Sequence, residues 1–268
     1  MSFYVNRQGS LEYLGSTLLD DTAHCFSTRF GGVSQGHLSS LNLGVHRGDV
    51  PENVLKNYQI LGSAVGFAPA QTVFTRQTHT DVVERVGKAH CGRGLFREVE
   101  QPCDALITDE PGVALTVFTA DCPPILLYDP VRQAVGAVHS GWRGTAAGIV
   151  ARTVEAMHDE FGSEPANICA AIGPCIGPCC FETDGDVPEA MLAALGETAR
   201  CAIRPTGEKY YVNLKEINSI WLRRAGVGRI DVSADCTACQ SQRFWSHRRV
   251  GNARGSLAAI IMLKGEGL

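Results

Sequence analysis

Three residues stand out for their chemistry. His79 sits in "TRQTHTDVV", Cys122 in "TADCPP" and His139 in "AVGAVHSGWRGTAAG". Each lies near the end of an apolar run that reads as a strand. Polar side chains at strand ends converge in the crevices where α/β proteins bind ligands. Two imidazoles and a thiolate form a borderline-soft donor set that suits zinc, with copper as the alternative. Three protein ligands leave a fourth tetrahedral position open, as in catalytic zinc sites. Such a position can activate water or orient a substrate oxygen. The spacings follow no zinc-finger rule, so each residue taken singly also reads as a hydrogen-bonded histidine or a small buried thiol. Asp121 directly precedes Cys122. A carboxylate raises a neighbouring thiol's pKa unless a cation compensates. A metal on Cys122 removes that conflict, whereas a turn cap before the prolines is the plainer role.

Other loops offer weaker signals. In "HSGWRGT", Gly141 and Gly144 allow close backbone approach, Arg143 adds a guanidinium, and a helix starting near Thr145 would turn free N–H groups toward a phosphate. "STRFGGVSQG" and "SLNLGVHRGD" supply Arg29, Asn42, His46 and Arg47, a set able to grip an anion or a sugar hydroxyl. "GPCIGPCCFE" and "DCTACQ" gather Cys175, Cys179, Cys180, Cys236 and Cys239. The C-x-x-C at 236–239 lacks a second C-x-x-C pair or a finger-spaced histidine pair. These cysteines therefore read as packing residues in tight turns.

The positioning elements announce themselves through caps and periodicity. Asp49 with Glu52, Asp186 with Glu189, and Asn213 with Glu216 form capping-box patterns ahead of apolar stripes. Gly196 and Gly226 stand where helices should stop. A fourth helix is expected over 145–161. Strands are expected at 72–75, 82–86, 105–108, 113–118, 125–128, 134–139, 168–172, 210–212, 230–232 and 257–263. Strands and helices interleave, so the class is α/β or α+β with mixed sheets, and no linker divides residues 1–268.

Composition narrows the function. Apolar residues make up 44% and charged residues 19% of 268, the profile of a soluble globular chain. A net charge of -4 without a basic stripe argues against nucleic acid as partner. No apolar run is long enough to span a membrane, and the start lacks a signal-peptide pattern. Eleven cysteines then imply thiols or metal ligands in a reducing cytoplasm rather than a disulfide framework.

Taken together, "TRFGGVSQG", "SLNLGVHRGD", "QTH", "DALITDEPGVALTVFTADCPPILLYDP", "AVHSGWRGT", "AIGPCIG" and "WSHRR" resemble, in order and spacing, the YfiH-like laccase-domain family. Cys103 and Ala253 depart from the family pattern without touching His79, Cys122 or His139. The resemblance implies a sandwich of central mixed sheets flanked by helices, and a zinc site made by those three residues. It implies phosphorolysis of adenosine, inosine and methylthioadenosine, plus adenosine deamination, with nucleoside and phosphate as small-molecule partners. On that reading Asp121 and Arg29 are the catalytic candidates, and Asn42, Gln77 and Arg143 bind substrate. A copper polyphenol oxidase is the older reading of such proteins. It is poorly served by eight histidines with no H-x-H pair. A hydrolase that edits peptidoglycan precursors and a non-enzymatic metal-binding module complete the alternatives.

Overall fold

The computed structural model describes residues 3–265. Two six-stranded mixed sheets stack face to face. The first runs β1 (Phe3–Gln8), β2 (Leu11–Ser16), β3 (Thr22–Ser27), β15 (Leu257–Leu263), β7 (Ala114–Thr119), β4 (Thr72–Phe74). The second runs β14 (Arg229–Val232), β10 (Cys169–Ile172), β8 (Pro124–Asp129), β9 (Ala134–His139), β6 (Ala105–Thr108), β5 (Val83–Arg85). A small third sheet orders β11 (Glu182–Thr183), β13 (Lys209–Val212) and β12 (Ile203–Thr206).

The two-residue period of a strand explains the layering. On β15, Leu257, Ala259 and Ile261 face the inter-sheet core, while Ala258, Ile260 and Met262 face outward onto α1 (Pro51–Val65). On β8 and β9, Leu126, Val135 and Ala137 face the same inter-sheet core. Their neighbours Ile125, Leu127 and Val138 pack under α3 (Ile149–Phe161). Both faces of each central strand are therefore covered, which is why these strands read as unbroken apolar runs. The third sheet packs with α4 (Asp186–Leu195) and α5 (Leu214–Arg224) around Met191, Leu195, Val212 and Ile217. This is the mixed sandwich flanked by helices that the family resemblance implied. Among the described residues no helix is long and apolar enough to cross a membrane.

All ten expected strands form. The N-terminal meander β1–β3 and the short β11 and β12 were not anticipated. Helix starts divide more sharply. Asn213 does cap α5, accepting from the Glu216 amide at 3.3 Å. Asp49 does not cap α1. Its carboxylate accepts instead from Ser34 Oγ at 2.6 Å and Asn42 Nδ2 at 2.9 Å, and Val50 takes the cap position. Asp186 lies inside the first turn of α4, behind Gly185.

The helix expected over 145–161 is two helices, α2 (Trp142–Ala146) and α3. Gly148 separates them with φ +75°, and a Cβ there would meet the Trp221 ring at 3.3 Å. That indole donates through Nε1 to the Thr145 carbonyl at 2.9 Å, so the break is tied to α5. Replacing Gly148 by Ala forces a left-handed residue against an aromatic wall. We expect a loss of roughly 1–2 kcal/mol, read as a lower urea midpoint with an unchanged m-value.

Candidate metal centre

The ends of β7 and β9 and the loop after β4 meet at one edge of the sandwich. There the ligand atoms of His79, Cys122 and His139 all lie within 4.8 Å of one another. His79 Nε2 stands 3.8 Å from Cys122 Sγ, and the two imidazoles meet edge to face with centroids 5.0 Å apart. Two nitrogens and one sulfur converging at this range fit a borderline-soft divalent cation.

Asp104, at the head of β6, organises the trio, and sequence reasoning missed it. It is fully buried. Its carboxylate accepts from three successive amides, Thr78 at 3.0 Å, His79 at 3.1 Å and Thr80 at 2.9 Å, and from Thr80 Oγ1 at 2.9 Å. Three consecutive N–H groups can converge on one anion only if the backbone turns left-handed among them, and His79 does so at φ +61°. The same carboxylate bonds His139 Nδ1 at 2.7 Å. That contact fixes the tautomer and leaves Nε2 for a metal. The motif signal was present: an acid opens the strand "DALIT". Its role is hidden in the motif because its partners lie 24 to 35 residues along the chain.

A second buried carboxylate sets Cys122. Asp121 has φ +97°. It accepts from Thr237 Oγ1 at 2.6 Å, Ser246 Oγ at 3.0 Å and the Arg248 amide at 2.6 Å. Both its oxygens are thus engaged by the 237–248 segment, and it does not line the cleft. The sequence placed Asp121 in catalysis; its geometry is that of an anchor.

The electrostatics favour a metal-ready thiolate. Burial pushes the Cys122 thiol up, but the His139 and His79 imidazoles facing it prevail and bring it down to about 6. Burial opposes charge on His139, and the Cys122 thiolate and Asp104 outweigh it, raising the imidazole to about 9. Burial also works against Asp104, yet His139 and the Thr80 and Thr78 amides hold it at about 2.

The trio opens into a cleft of about 790 Å³, a size suited to a small-molecule ligand. Its lining includes the apolar Phe74, Leu95, Phe96 and Phe118 and the cationic Arg47, Arg76, Arg97 and Arg254, with Glu98 as the acid among them. Arg254 donates through Nη1 to the Gly255 carbonyl, while its buried Nε has no partner. Burial and then the neighbouring Arg47 press its pKa down to about 10. Paired guanidiniums with unspent donors are an anion receptor.

The remaining expected site residues serve the frame. Arg29 lies over the Trp245 ring at 3.7 Å and donates to the Ser241 and Ser39 carbonyls. Asn42 is fully buried and bonds Gly44, Asp49 and Ser256. Gln77 lines the cleft, but its amide is clamped to the Phe118 backbone at 2.8 and 2.6 Å. Arg143 is exposed over Trp142. The glycines of "HSGWRGT" make room for protein rather than phosphate. A Cβ on Gly141 would lie 2.4 Å from His79 Cδ2, and one on Gly144 would lie 2.8 Å from the Thr80 carbonyl.

Comparison with known proteins identifies the family. Residues 23–264 match the family described as multi-copper polyphenol oxidoreductase laccase. The chain belongs to that family. It is 37% identical over 240 residues to the purine nucleoside phosphorylase YlmD of Geobacillus stearothermophilus, covering 88% of each. It is 36% identical over 242 residues to the purine nucleoside phosphorylase YfiH of Escherichia coli K12, covering 90% of this chain and 93% of that protein. The crystal structure of Bacillus licheniformis YfiH superposes with a TM-score of 0.91 at 34% identity, covering 97% and 99% of the two chains. The laccase-domain family thus carries, in this chain, a trio set by two buried carboxylates.

Two outcomes follow for this laccase-domain chain. Asp104→Asn should weaken metal binding at the trio by roughly 10- to 100-fold, as loss of an orienting partner does elsewhere; competition against a graded chelator measures it. Asp104 is held low, so its stabilisation is complete above its unfolded pKa near 4 and fades as pH falls toward 2. It amounts to about 2 kcal/mol, and the acid limb of wild-type unfolding should lose that component in the variant.

Proposed function

We propose that this chain is a zinc-dependent purine nucleoside phosphorylase, acting on adenosine, inosine and methylthioadenosine, with adenosine deamination as a second activity, in the cytoplasm. The observation that carries the reading is the juxtaposition in one cleft of the His79–Cys122–His139 trio, the Arg47–Arg254 pair and several aromatic rings. The names borne by the relatives support it. A zinc ion held by the trio would supply Lewis-acid stabilisation of negative charge.

The chain's own residues then divide the work. Phe118 and Phe96 offer flat apolar surface to a purine. Arg47 and Arg254 hold inorganic phosphate by charge-assisted hydrogen bonds. An oxygen of hydrogen phosphate bonds to C1′ as the C1′–N9 bond breaks; the electron pair leaves with the purine, which takes up the proton that the phosphate loses. The bound anion lies beside the oxocarbenium-like sugar and stabilises its positive charge. Holding both reactants converts an encounter in water into a positioned reaction. In deamination, a water oxygen replaces the C6 amino group, which leaves as ammonia. Glu98, a carboxylate lining the cleft, moves the protons, in place of the catalytic candidate Asp121.

Among the described residues, the clustered ligand sets are the trio and a group of four cysteines. Neither gathers the imidazoles of a three-copper oxygen site, so multicopper oxidation is the weaker reading despite the family's description. Zinc-loaded protein with adenosine and phosphate should yield adenine and ribose 1-phosphate, and inosine without phosphate. Arg254→Ala should raise KM for phosphate by about tenfold or more, the loss of a charge-assisted contact, while Glu98→Gln should depress inosine formation more than phosphorolysis. Absence of adenine and inosine from the zinc-loaded enzyme overturns the proposal.

A further inference from the structure

Cys179, Cys180, Cys236 and Cys239 come together on the surface, away from the residues that line the cleft. We propose that they form a second metal site, closed by four thiolates around one zinc-like divalent cation, with a structural role.

Geometry is the first support. The four sulfurs lie within 4.8 Å of one another, and Cys239 Sγ is 3.4 Å from both Cys179 Sγ and Cys180 Sγ. A tetrahedral site with metal–sulfur bonds of about 2.3 Å places its sulfurs about 3.8 Å apart, within the observed spread. The topology explains the convergence. β10 and β14 pair in parallel, Ile172 beside Val232, and the pairing resumes as a bridge between Cys175 and Cys236. The two cysteine-bearing turns leave adjacent strands in the same direction and land side by side. This pairing of distant segments is what the packing expectation lacked.

The surroundings of Cys236 suit a thiolate. Cys236 Sγ accepts from the Gly177 amide at 3.1 Å and from the Cys239 amide at 3.4 Å. N–H donors aimed at sulfur orient a ligand and spread its charge. Four thiolates around a divalent cation carry a net double negative charge. Arg248 donates to the Cys180 and Glu182 carbonyls and Arg249 to the Ala238 carbonyl, which brings two guanidiniums to the frame of the cluster. Packing does not account for the set, because Cys179 and Cys239 are exposed. On binding, each thiol gives its proton to solvent, and no electrons are transferred.

The site would brace the cleft. Thr237, between two of the ligands, bonds Asp121, and Asp121 precedes Cys122. A cation here locks the 236–239 loop and with it the anchor of the trio's thiol.

The test uses full-length protein purified under reducing conditions, with zinc and Co(II) as probes. Wild type should hold two zinc ions per chain. His79→Ala, an exposed substitution outside the cluster, should retain one, and its Co(II) form should show the intense sulfur-to-cobalt absorption of four thiolates with tetrahedral visible bands. Cys179→Ser/Cys239→Ser should lose those bands and one zinc. A His79→Ala protein that holds no zinc, or whose cobalt form lacks thiolate absorption, overturns the proposal. So does non-reducing mass spectrometry that finds Cys239 in a disulfide with Cys179 or Cys180 in that protein.

Discussion

Burying an ionised carboxylate is costly unless every lone pair finds a donor. Asp104 meets that condition with three amides, a hydroxyl and an imidazole. Satisfying one charge orders two histidines. The amides belong to the loop that presents His79, and the imidazole is His139 itself. Remove the carboxylate and the left-handed turn at His79 loses its reason, while His139 loses both tautomer and direction. Asp121 repeats the device on the other side, holding Cys122 through hydroxyls and an amide from the 237–248 segment. The trio is thus set by ligand-free hydrogen bonding within the protein, and the sandwich delivers its members from β7, β9 and the loop after β4 to one place.

The cleft adds positive charge. Its lining combines several guanidiniums, one of them, Arg254, with an unpartnered Nε, and several aromatic rings. An anion and a flat heterocycle are complementary to such a surface, and a nucleoside reacting with phosphate supplies both. The laccase description of the family sits less easily with the chain. Among the described residues the clustered donors are one mixed trio and one all-sulfur group, and neither resembles an oxygen-reducing copper cluster.

Much of the frame was legible because it is local. Central strands covered on both faces must be apolar throughout, and those runs were found, together with the less apolar β5, β13 and β14. Asn213 caps its helix because its partner is three residues away. Where a side chain's partner is distant, local reading failed. Asp49 looked like a cap but answers to Ser34 and Asn42, and Asp121 looked catalytic but answers to Thr237 and Ser246. Arg29 likewise spends its donors on the Ser241 and Ser39 carbonyls, and Asn42 accepts from the distant Ser256 amide, which only the fold brings near. β1–β3 escaped notice because β1 is a polar, half-exposed edge, and the buried β2 and β3 mix polar with apolar residues without alternation. Strand ends offered His79, Cys122 and His139 as candidates, and the family resemblance of their motifs joined them into one ligand set. Its organiser was not legible, since nothing in "DALIT" shows that the acid turns back on two distant loops.

Anomalous diffraction at the zinc edge from zinc-soaked crystals tests the central claim most directly. The account predicts a strong peak bonded to His79 Nε2, His139 Nε2 and Cys122 Sγ, with Asp104 still on His139 Nδ1. A map with no peak there, or with the imidazoles turned from the sulfur, would contradict it.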